Sequence, residues 1–279
     1  MNGNRNTVLD KLWDLKILIR GAGEMATGTA VRLHNSGFPY LLMTEIDRPL
    51  AVRRTVSFCE AVHAGSWTVE GIEAVKIDTP LQADGALSRG LVPVLIDPGN
   101  TSGEALKPHV VVDAILAKKN LGTRITDASL VIGMGPGFCA GKDVHYVIET
   151  NRGHDLGRVI LDGEAFPDTG VPGEIAGQSG LRVLRSPADG IFESQAEIGS
   201  PVQAGAVVGS VDGKEVAAQL TGVLRGLIRP GTRVSTGLKI GDVDPRGKSE
   251  YCFTISEKAR AIAGGVLEAI LKTFNKPNS

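Results

Sequence analysis

The sequence predicts an α/β domain built on a parallel sheet, followed by a small all-β domain and a C-terminal helix. Three observations carry this prediction. A strand, a glycine turn, a helix and a second strand follow one another near the N-terminus, a glycine-rich repeat fills the C-terminal half, and an apolar stripe at helical spacing ends the chain. With 279 residues, 42% of them hydrophobic, the chain can bury two modest cores.

Residues 16 to 45 predict one mononucleotide-binding unit of a Rossmann-like parallel sheet domain. An apolar run ends at Gly21, and the following turn fits the pattern G-x-G-x-x-A up to Ala26. The first glycine permits a tight turn, the second lets a pyrophosphate approach the backbone, and an acid at the end of the second strand accepts hydrogen bonds from a ribose. The candidate cofactor-binding residues of this unit are Gly21, Gly23, Ala26, Thr27 and Glu45.

An alternative stays open for the same turn. The small residues can serve only a tight connection between strand and helix, and the carboxylate of Glu24 would repel a pyrophosphate unless Arg20 neutralises it.

Further candidates follow other predicted strands, because ligands of open parallel sheets lie at the carboxyl ends of the strands. Arginines beyond the second strand suit a phosphate or carboxylate, although they can equally form a solvated helix face. A polar turn follows the strand Val92 to Ile96, and its aspartate can instead bond its own turn; a helix is predicted from about Pro108 to Lys119. The candidates here are Arg48, Arg53, Arg54, Asp97 and Asn100.

A second glycine cluster, Gly133, Gly135 and Gly137, follows another predicted strand and predicts an anion-binding nest of backbone amides. It fails the Walker pattern, because Pro136 replaces a required glycine and Asp143 follows the lysine. The alternative is an ordinary loop with unusual dihedral angles. A reactive Cys139 in this loop is a less favoured reading.

Composition excludes several classes of function. The net charge is −1 with both signs mixed, so neither nucleic acid nor a membrane surface is expected as a partner. The three cysteines are far apart, which argues against a disulfide framework or a metal site. The N-terminus lacks an apolar signal core, and no run is long enough to span a bilayer. We expect a cytoplasmic protein with no bound metal, and the sequence identifies no catalytic residue.

The C-terminal half repeats on itself. Gly190 aligns with Gly222 and Gly209 with Gly241, with further matches between them, which predicts a lipoyl- or biotinyl-like barrel-sandwich domain. Lys214 lies in the hairpin between the copies but lacks the context of a carrier lysine, so no lipoyl or biotinyl group is expected.

The last segment predicts a helix that starts at a capping box and packs back on the first domain. The predicted domains are a Rossmann-like domain at 1–162, a linker at 163–181, the β domain at 182–250 and the C-terminal helix at 251–279.

Linked motifs extend the interpretation to a family. The segments RGAGEMATGTAVRL, TEIDRPLAVRRTVSFCEAV, GMGPGFCAGKDVHYVIETNRGHDLGRVI, TGVPGEIAG and IGDVDPRG are similar to those of the YqeB-type family, over about residues 16 to 272. This family is described as accessory proteins of selenium-dependent molybdenum hydroxylase systems, and it is distantly reminiscent of xanthine dehydrogenase accessory proteins.

The resemblance implies a role in maturing a molybdenum enzyme. It implies handling of the pterin cofactor or of labile selenium, with a molybdenum hydroxylase client or other maturation proteins as partners. Together with the glycine turn, it leads us to expect a bound nucleotide or dinucleotide, either NAD(P) or a molybdopterin dinucleotide. Two alternatives stay open: an NAD(P)-dependent oxidoreductase, and a non-catalytic docking protein. The sequence leaves homo-oligomerisation undecided.

Overall fold

The computed structural model describes residues 12–171 and 173–275. They form two compact units. The first comprises the chain up to residue 49, residues 58–168 and the chain from 256 on; the second comprises 50–57 and 169–255.

The first unit contains eleven strands and, within the described residues, five α-helices. Its strands are β1 (Ile17–Arg20), β2 (Leu41–Glu45), β3 (Ser66–Val69), β4 (Ile72–Ile77), β5 (Val92–Ile96), β6 (Val110–Asp113), β7 (Leu130–Met134), β8 (Cys139–Ala140), β9 (Tyr146–Ile148), β10 (Val159–Ile160) and β11 (Gly163–Glu164). Its helices are α1 (Glu24–Asn35), α2 (Ala61–Ala64), α3 (Ala83–Leu87), α4 (Gly103–Leu106) and α5 (Glu257–Phe274). Nine of these strands form one large sheet, and the short strands β8 and β11 form a separate two-stranded sheet.

The large sheet has the order β10-β9-β7-β6-β1-β2-β5-β4-β3. Its inner neighbours are parallel, whereas β10 and β3 pair antiparallel at the two edges. The central strand β1 is buried along its whole length, as are β6 and β7, which fits their continuous aliphatic sequences.

The strand, helix and strand predicted between residues 16 and 45 are present as β1, α1 and β2. Helix α1 ends where Gly37 adopts a φ of 90° and donates its N–H to the carbonyl of His34.

Helix α5 packs along α1 within the first unit. Its first turn is capped by Ser256, whose hydroxyl accepts from the N–H of Ala259 at 3.2 Å. Gly265 has a close backbone neighbour, because a Cβ there would collide with the carbonyl oxygen of Gly157. Gly265 therefore has a packing reason, whereas Gly264 borders open space.

The predicted Rossmann-like parallel sheet was wrong. The sheet is mixed, and the connections from β6 to β7 and from β7 to β9 contain no helix among the described residues. The helix predicted from Pro108 to Lys119 is instead β6 and an irregular loop, since the β-branched run of Val110 to Val112 favours a buried strand. Only α1 and α5 exceed five residues in the described chain.

The second unit consists of two four-stranded antiparallel sheets. Its strands are β12 (Val183–Arg185), β13 (Gly190–Ser194), β14 (Pro201–Val202), β15 (Val207–Val211), β16 (Lys214–Ala217), β17 (Gly222–Leu227), β18 (Arg233–Val234) and β19 (Lys239–Asp244). The sheet orders are β12-β19-β17-β14 and β16-β15-β13-β18. Because hydrogen bonding leaves two separate sheets, the lipoyl- or biotinyl-like barrel predicted from the repeat was wrong.

Both copies of the repeat form strands at matching positions. Gly190 and Gly222 begin β13 and β17, and Gly209 and Gly241 lie in β15 and β19. The copies exchange partners, since β13 pairs with β18 and β17 pairs with β14. One apolar core, which includes Phe192, is shared by strands of both copies. Neither copy therefore completes a sheet or a core alone.

Residues 50–57 join the second unit although they are far from it in sequence. The N–H of Leu227 donates to the carbonyl of Val52 at 2.8 Å, and Gly226 lies directly against Val52. No local pattern indicates this addition. The units otherwise divide at 168/169 and 255/256.

Candidate ligand site at the carboxyl edge of the sheet

Seven parallel strands end at one edge of the large sheet, and the loops after them are the natural place for a ligand. The order of the sheet reverses at β1, because the chain proceeds first to β2 on one side and later to β6 on the other. In open α/β sheets the crevice at such a reversal is the usual ligand position. The loops after β1, β2 and β6 therefore define the candidate site.

The glycine turn after β1 has one packed and one open glycine. Gly21 has a φ of 90°, and a Cβ there would lie 3.1 Å from the carbonyl oxygen of Ala114. Gly23, at the residue before α1, has no neighbouring atom within 4 Å of a Cβ position. Ala26 is fully buried behind the turn. The space above Gly23 is open to a ligand, while Gly21 seats the turn on the loop after β6.

Glu45 connects the end of β2 to the same turn. One carboxylate oxygen accepts the N–H of Ala22 at 2.8 Å, and the other accepts the N–H of Ile46 at 2.8 Å. Burial raises the pKa of Glu45 above its ordinary value, although the hydrogen bonds from Ile46 and Ala22 act in the opposite direction. The acid expected beside a ribose is thus fixed next to the glycine turn.

Thr27 braces the turn from inside the fold. Its hydroxyl donates to the carbonyl of Ala22 at 3.1 Å and accepts the N–H of Phe58 at 2.8 Å. The N–H of Cys59 also donates to the carbonyl of Ala22 at 2.9 Å. Thr27 is completely buried, so it holds the turn in place and does not face the opening above Gly23.

The three predicted arginines do not belong to one unit. Arg48 is highly exposed, and its nearest ion-pair partner is Asp47 at 4.0 Å. Arg53 and Arg54 belong to the second unit.

There, Arg53 is buried and donates to the carbonyls of Tyr251 at 2.9 Å and Thr254 at 3.0 Å, while Arg54 donates to the carbonyl of Leu227 at 2.8 Å. These bonds fasten residues 50–57 to the second unit, and anion binding by the arginines stays a prediction.

Asp97 is engaged by its own turn. Its carboxylate accepts from the N–H and hydroxyl of Thr101 and from the N–H and hydroxyl of Ser102, at 2.5 to 3.1 Å. Burial opposes ionisation of Asp97, but the bonds from Ser102 and Thr101 outweigh it and hold the pKa below its usual value. Asn100 takes a φ of 51° in this turn. In the structure Asp97 thus bonds its own turn, which is the alternative stated in the sequence analysis.

The second glycine cluster is packed rather than open. A Cβ at Gly133 would meet the ring of Phe138, one at Gly135 would meet Thr150, and one at Gly137 would lie 2.6 Å from the Cα of Lys119. Gly135 and Gly137 have φ values of 77° and 106°. These glycines are required by close packing of the loop, and their role in binding an anion stays a prediction.

Cys139 lies beyond this loop and is partly exposed, whereas the other two cysteines are buried. Its N–H donates to the carboxylate of Asp143 at 3.0 Å. Among the described residues, none is identified as a catalytic base for its thiol.

A buried polar network beside the turn was missed from the sequence. Arg20, at the end of β1, donates from Nη1 to the hydroxyl of Thr123 at 2.6 Å and to Asp127 at 2.9 Å. The hydroxyl of Thr123 donates to Asp113 at 2.6 Å. Burial raises the pKa of Asp113, against the hydrogen bonds from Thr123 and Ile115 and the positive charge of Arg20. Nε of Arg20 is buried without a partner in the described chain.

The signal for this network was the sequence Val-Val-Val-Asp, a buried strand ending in an acid at the carboxyl edge. Reading it as the start of a helix concealed Asp113.

The loop after β6 carries backbone strain. Leu116 and Lys118 have φ values of 59° and 61°, in the region that side chains disfavour. Asn120 closes the loop by accepting the N–H groups of Gly122 and Thr123, both at 2.8 Å. The loop touches Gly21 at one point and Gly137 at another. Strain of this kind is often found where a loop is held for function.

Comparisons with known proteins identify one curated relative. Over 260 residues the chain is 49% identical to the uncharacterized protein YqeB of Escherichia coli (strain K12). The chain is similar to YqeB. The match takes in 93% of this chain and 48% of YqeB, so the chain spans about half the length of that relative. The likeness to YqeB is confirmed, and the molybdenum hydroxylase role is not. No protein-family profile matches.

Similar solved structures were also found, all with low scores. They include a succinylglutamate desuccinylase/aspartoacylase from Rhodobacter sphaeroides, with 23% identity, 30% of this chain and 29% of that chain covered, and a TM-score of 0.21. The apo ectoine utilization protein EutE (DoeB) from Ruegeria pomeroyi has 14% identity, 82% and 85% coverage and a TM-score of 0.26. An aspartoacylase family protein from Mesorhizobium loti has 14% identity, 82% and 84% coverage and a TM-score of 0.24. Likenesses this weak carry no argument about activity.

None of these three is named as a molybdenum hydroxylase maturation protein or a barrel-sandwich protein. The barrel-sandwich hybrid expected from the sequence is corrected by the two separate sheets of the second unit. The expected selenium-dependent molybdenum hydroxylase context and the role in cofactor maturation have no support in the comparisons and are corrected as well. The chain has a large mixed sheet with few helices.

Two other features are absent from the described residues. No group of three or more histidine, cysteine or carboxylate side chains is arranged to hold a metal ion in that part of the chain. No helix of residues 12–171 and 173–275 is long and apolar enough to cross a bilayer.

Proposed function

We propose that the first unit binds an anionic, nucleotide-like small molecule at the carboxyl edge of the large sheet. One observation carries the proposal: the open position at Gly23 adjoins α1, and the Glu45 carboxylate is anchored to the same turn. An anion and a hydroxylated sugar would thus have complementary groups side by side.

The anionic part of the ligand would lie over Gly23. Helix α1 has 12 residues, and the backbone N–H groups of a first turn point outward and favour negative charge. Gly23 itself puts no side chain between these groups and a ligand, although the acidic Glu24 lies in the same first turn. This combination is how helix N-termini bind phosphate in nucleotide-binding proteins.

The sugar part would lie beside Glu45. Each of its carboxylate oxygens accepts one backbone N–H in the structure, and an ionised carboxylate offers about four acceptor positions. Lone pairs therefore remain for hydroxyl groups of a ribose. The Arg20 and Asp113 network would hold the loop after β6 against the turn and so fix the far wall of the site.

The test is a calorimetric titration of the purified protein with NAD, NADP, CTP, GTP and molybdopterin dinucleotides. We expect saturable binding of at least one of them. Hydride transfer with a bound nicotinamide would identify the oxidoreductase alternative. Binding of none would reject the proposal and favour the docking protein. Molybdenum hydroxylase maturation is no part of the proposal, since no comparison names that pathway.

The variant Gly23→Leu sharpens the titration. A Cβ at this position meets no atom within 4 Å, and the leucine side chain would occupy the approach to the helix, so binding should fall at least about a hundredfold while the unfolding midpoint changes little. Gly85→Leu is the control, because Gly85 is also an open glycine and lies in α3. Equal binding by both variants would place the ligand elsewhere.

A further inference from the structure

A second feature of the first unit lies along the edge strand β10. A cavity of 660 Å³ is lined by Glu149, Asp155, residues 158–162 and residues 164–167. Strand β10 pairs with β9 on one side only, with Val159 opposite Ile148. No strand of the described chain lies on its other side. We call this cavity and the open side of β10 the acidic groove.

The acidic groove has an excess of negative charge. Arg158 is the one cation among its lining residues, and it pairs with Asp155 at 3.1 Å. Glu149 is buried, and its two oxygens accept the N–H groups of Asn151 and Phe166. The remaining lining carboxylates, Asp162 and Glu164, are exposed and have no partner within the described residues.

Two large apolar side chains lie in the same groove. Leu161 is 52% exposed and Phe166 is 55% exposed. A metal ion or small cation bound to the carboxylates would leave both of them in water. An anionic membrane surface would be repelled by the carboxylates. The ligand that satisfies both features carries positive charge and apolar surface together.

We propose that the acidic groove docks an extended segment of a partner protein in which lysine or arginine alternates with apolar residues. An added strand presents successive side chains to opposite faces, and its backbone pairs with an open sheet edge. The cations of the segment face Asp162 and Glu164, and its apolar side chains cover Leu161 and Phe166.

The test is selection of a displayed library of twelve-residue peptides on the purified protein. We expect the selected peptides to be enriched in lysine or arginine alternating with apolar residues and to bind more weakly as salt rises. Synthetic copies of them should bind the double variant Asp162→Lys, Glu164→Lys at least about tenfold more weakly. The variant Phe166→Ser should also weaken binding, which a purely ionic attraction would not show.

The matched control is Asp84→Lys with Glu104→Lys, which reverses two exposed carboxylates elsewhere in the same unit. It should bind the peptides like the unchanged protein. The proposal is overturned if the selected peptides carry no basic enrichment, if both double variants bind equally, or if calcium alone competes with the peptides at micromolar concentration.

Discussion

The two glycine clusters of the first unit end neighbouring parts of the same sheet, yet their surroundings differ. Gly23 borders open space at the start of a long helix, whereas Gly133, Gly135 and Gly137 are each pressed against another residue. The sequence patterns look alike, since both place several glycines directly after a buried strand. A glycine after a strand can therefore either leave room for a ligand or allow close packing of a loop. Only the atoms around the glycine distinguish the two cases.

The largest expected effect tests the packed cluster. Gly137→Ala would place a methyl group 2.6 Å from the Cα of Lys119 at a φ of 106°, so we expect a loss of about 3 kcal/mol or more in unfolding free energy by urea titration. Gly141→Ala has a φ of 81° but open space, and it should cost only about 1–2 kcal/mol. Gly23→Ala should change stability by less than about 0.5 kcal/mol. Equal losses of unfolding free energy in Gly137→Ala and Gly23→Ala would contradict the difference in packing between the two glycine clusters.

The next effect concerns the network that fixes the loop between the clusters. Arg20→Met removes the cation that bonds Thr123 and Asp127 and leaves buried Asp113 without its charge partner, so we expect a loss of about 3 kcal/mol. Lys76→Met is the control, because its ion pair with Asp78 is exposed and should be worth less than about 1 kcal/mol. A loss in Arg20→Met no greater than in the control would mean that the network does not hold the loop.

The smallest effect is a pH dependence at the open cluster. Because burial raises the folded-state pKa of Glu45 above 4.5, the folded protein binds a proton more readily than the unfolded chain. The contribution of Glu45 to stability is then most favourable below pH 4.5 and declines as the pH rises through its folded pKa. Glu45→Gln should lack this decline in urea midpoints measured from pH 4 to 8. Asp113 is present in both proteins and contributes equally to both curves of urea midpoint against pH. If the two curves ran parallel, Glu45 would not be buried at the turn.

Much of the frame around the turn could be predicted from local sequence. The apolar run before Gly21, the helix formers after it and the terminal Glu45 gave β1, α1 and β2 at their observed places. The predicted mononucleotide unit depended on contacts only a few residues apart, which local patterns describe well.

The rest depended on contacts between distant residues. Strand β6 lies within a segment predicted to be a helix, because its burial between β1 and β7 is not visible in one segment. The role of Arg53 likewise follows from carbonyls about two hundred residues away. Tertiary packing of this kind overrides local propensity.

The exchange of strands between the two copies in the second unit has a consequence for how such a unit is built. Since β13 needs β18 and β17 needs β14, a half-length ancestor could have satisfied its backbone only by assembling with a twin. Cutting the present chain at the hairpin of Asp212 and Gly213 should accordingly leave two interlocked fragments that separate only on denaturation.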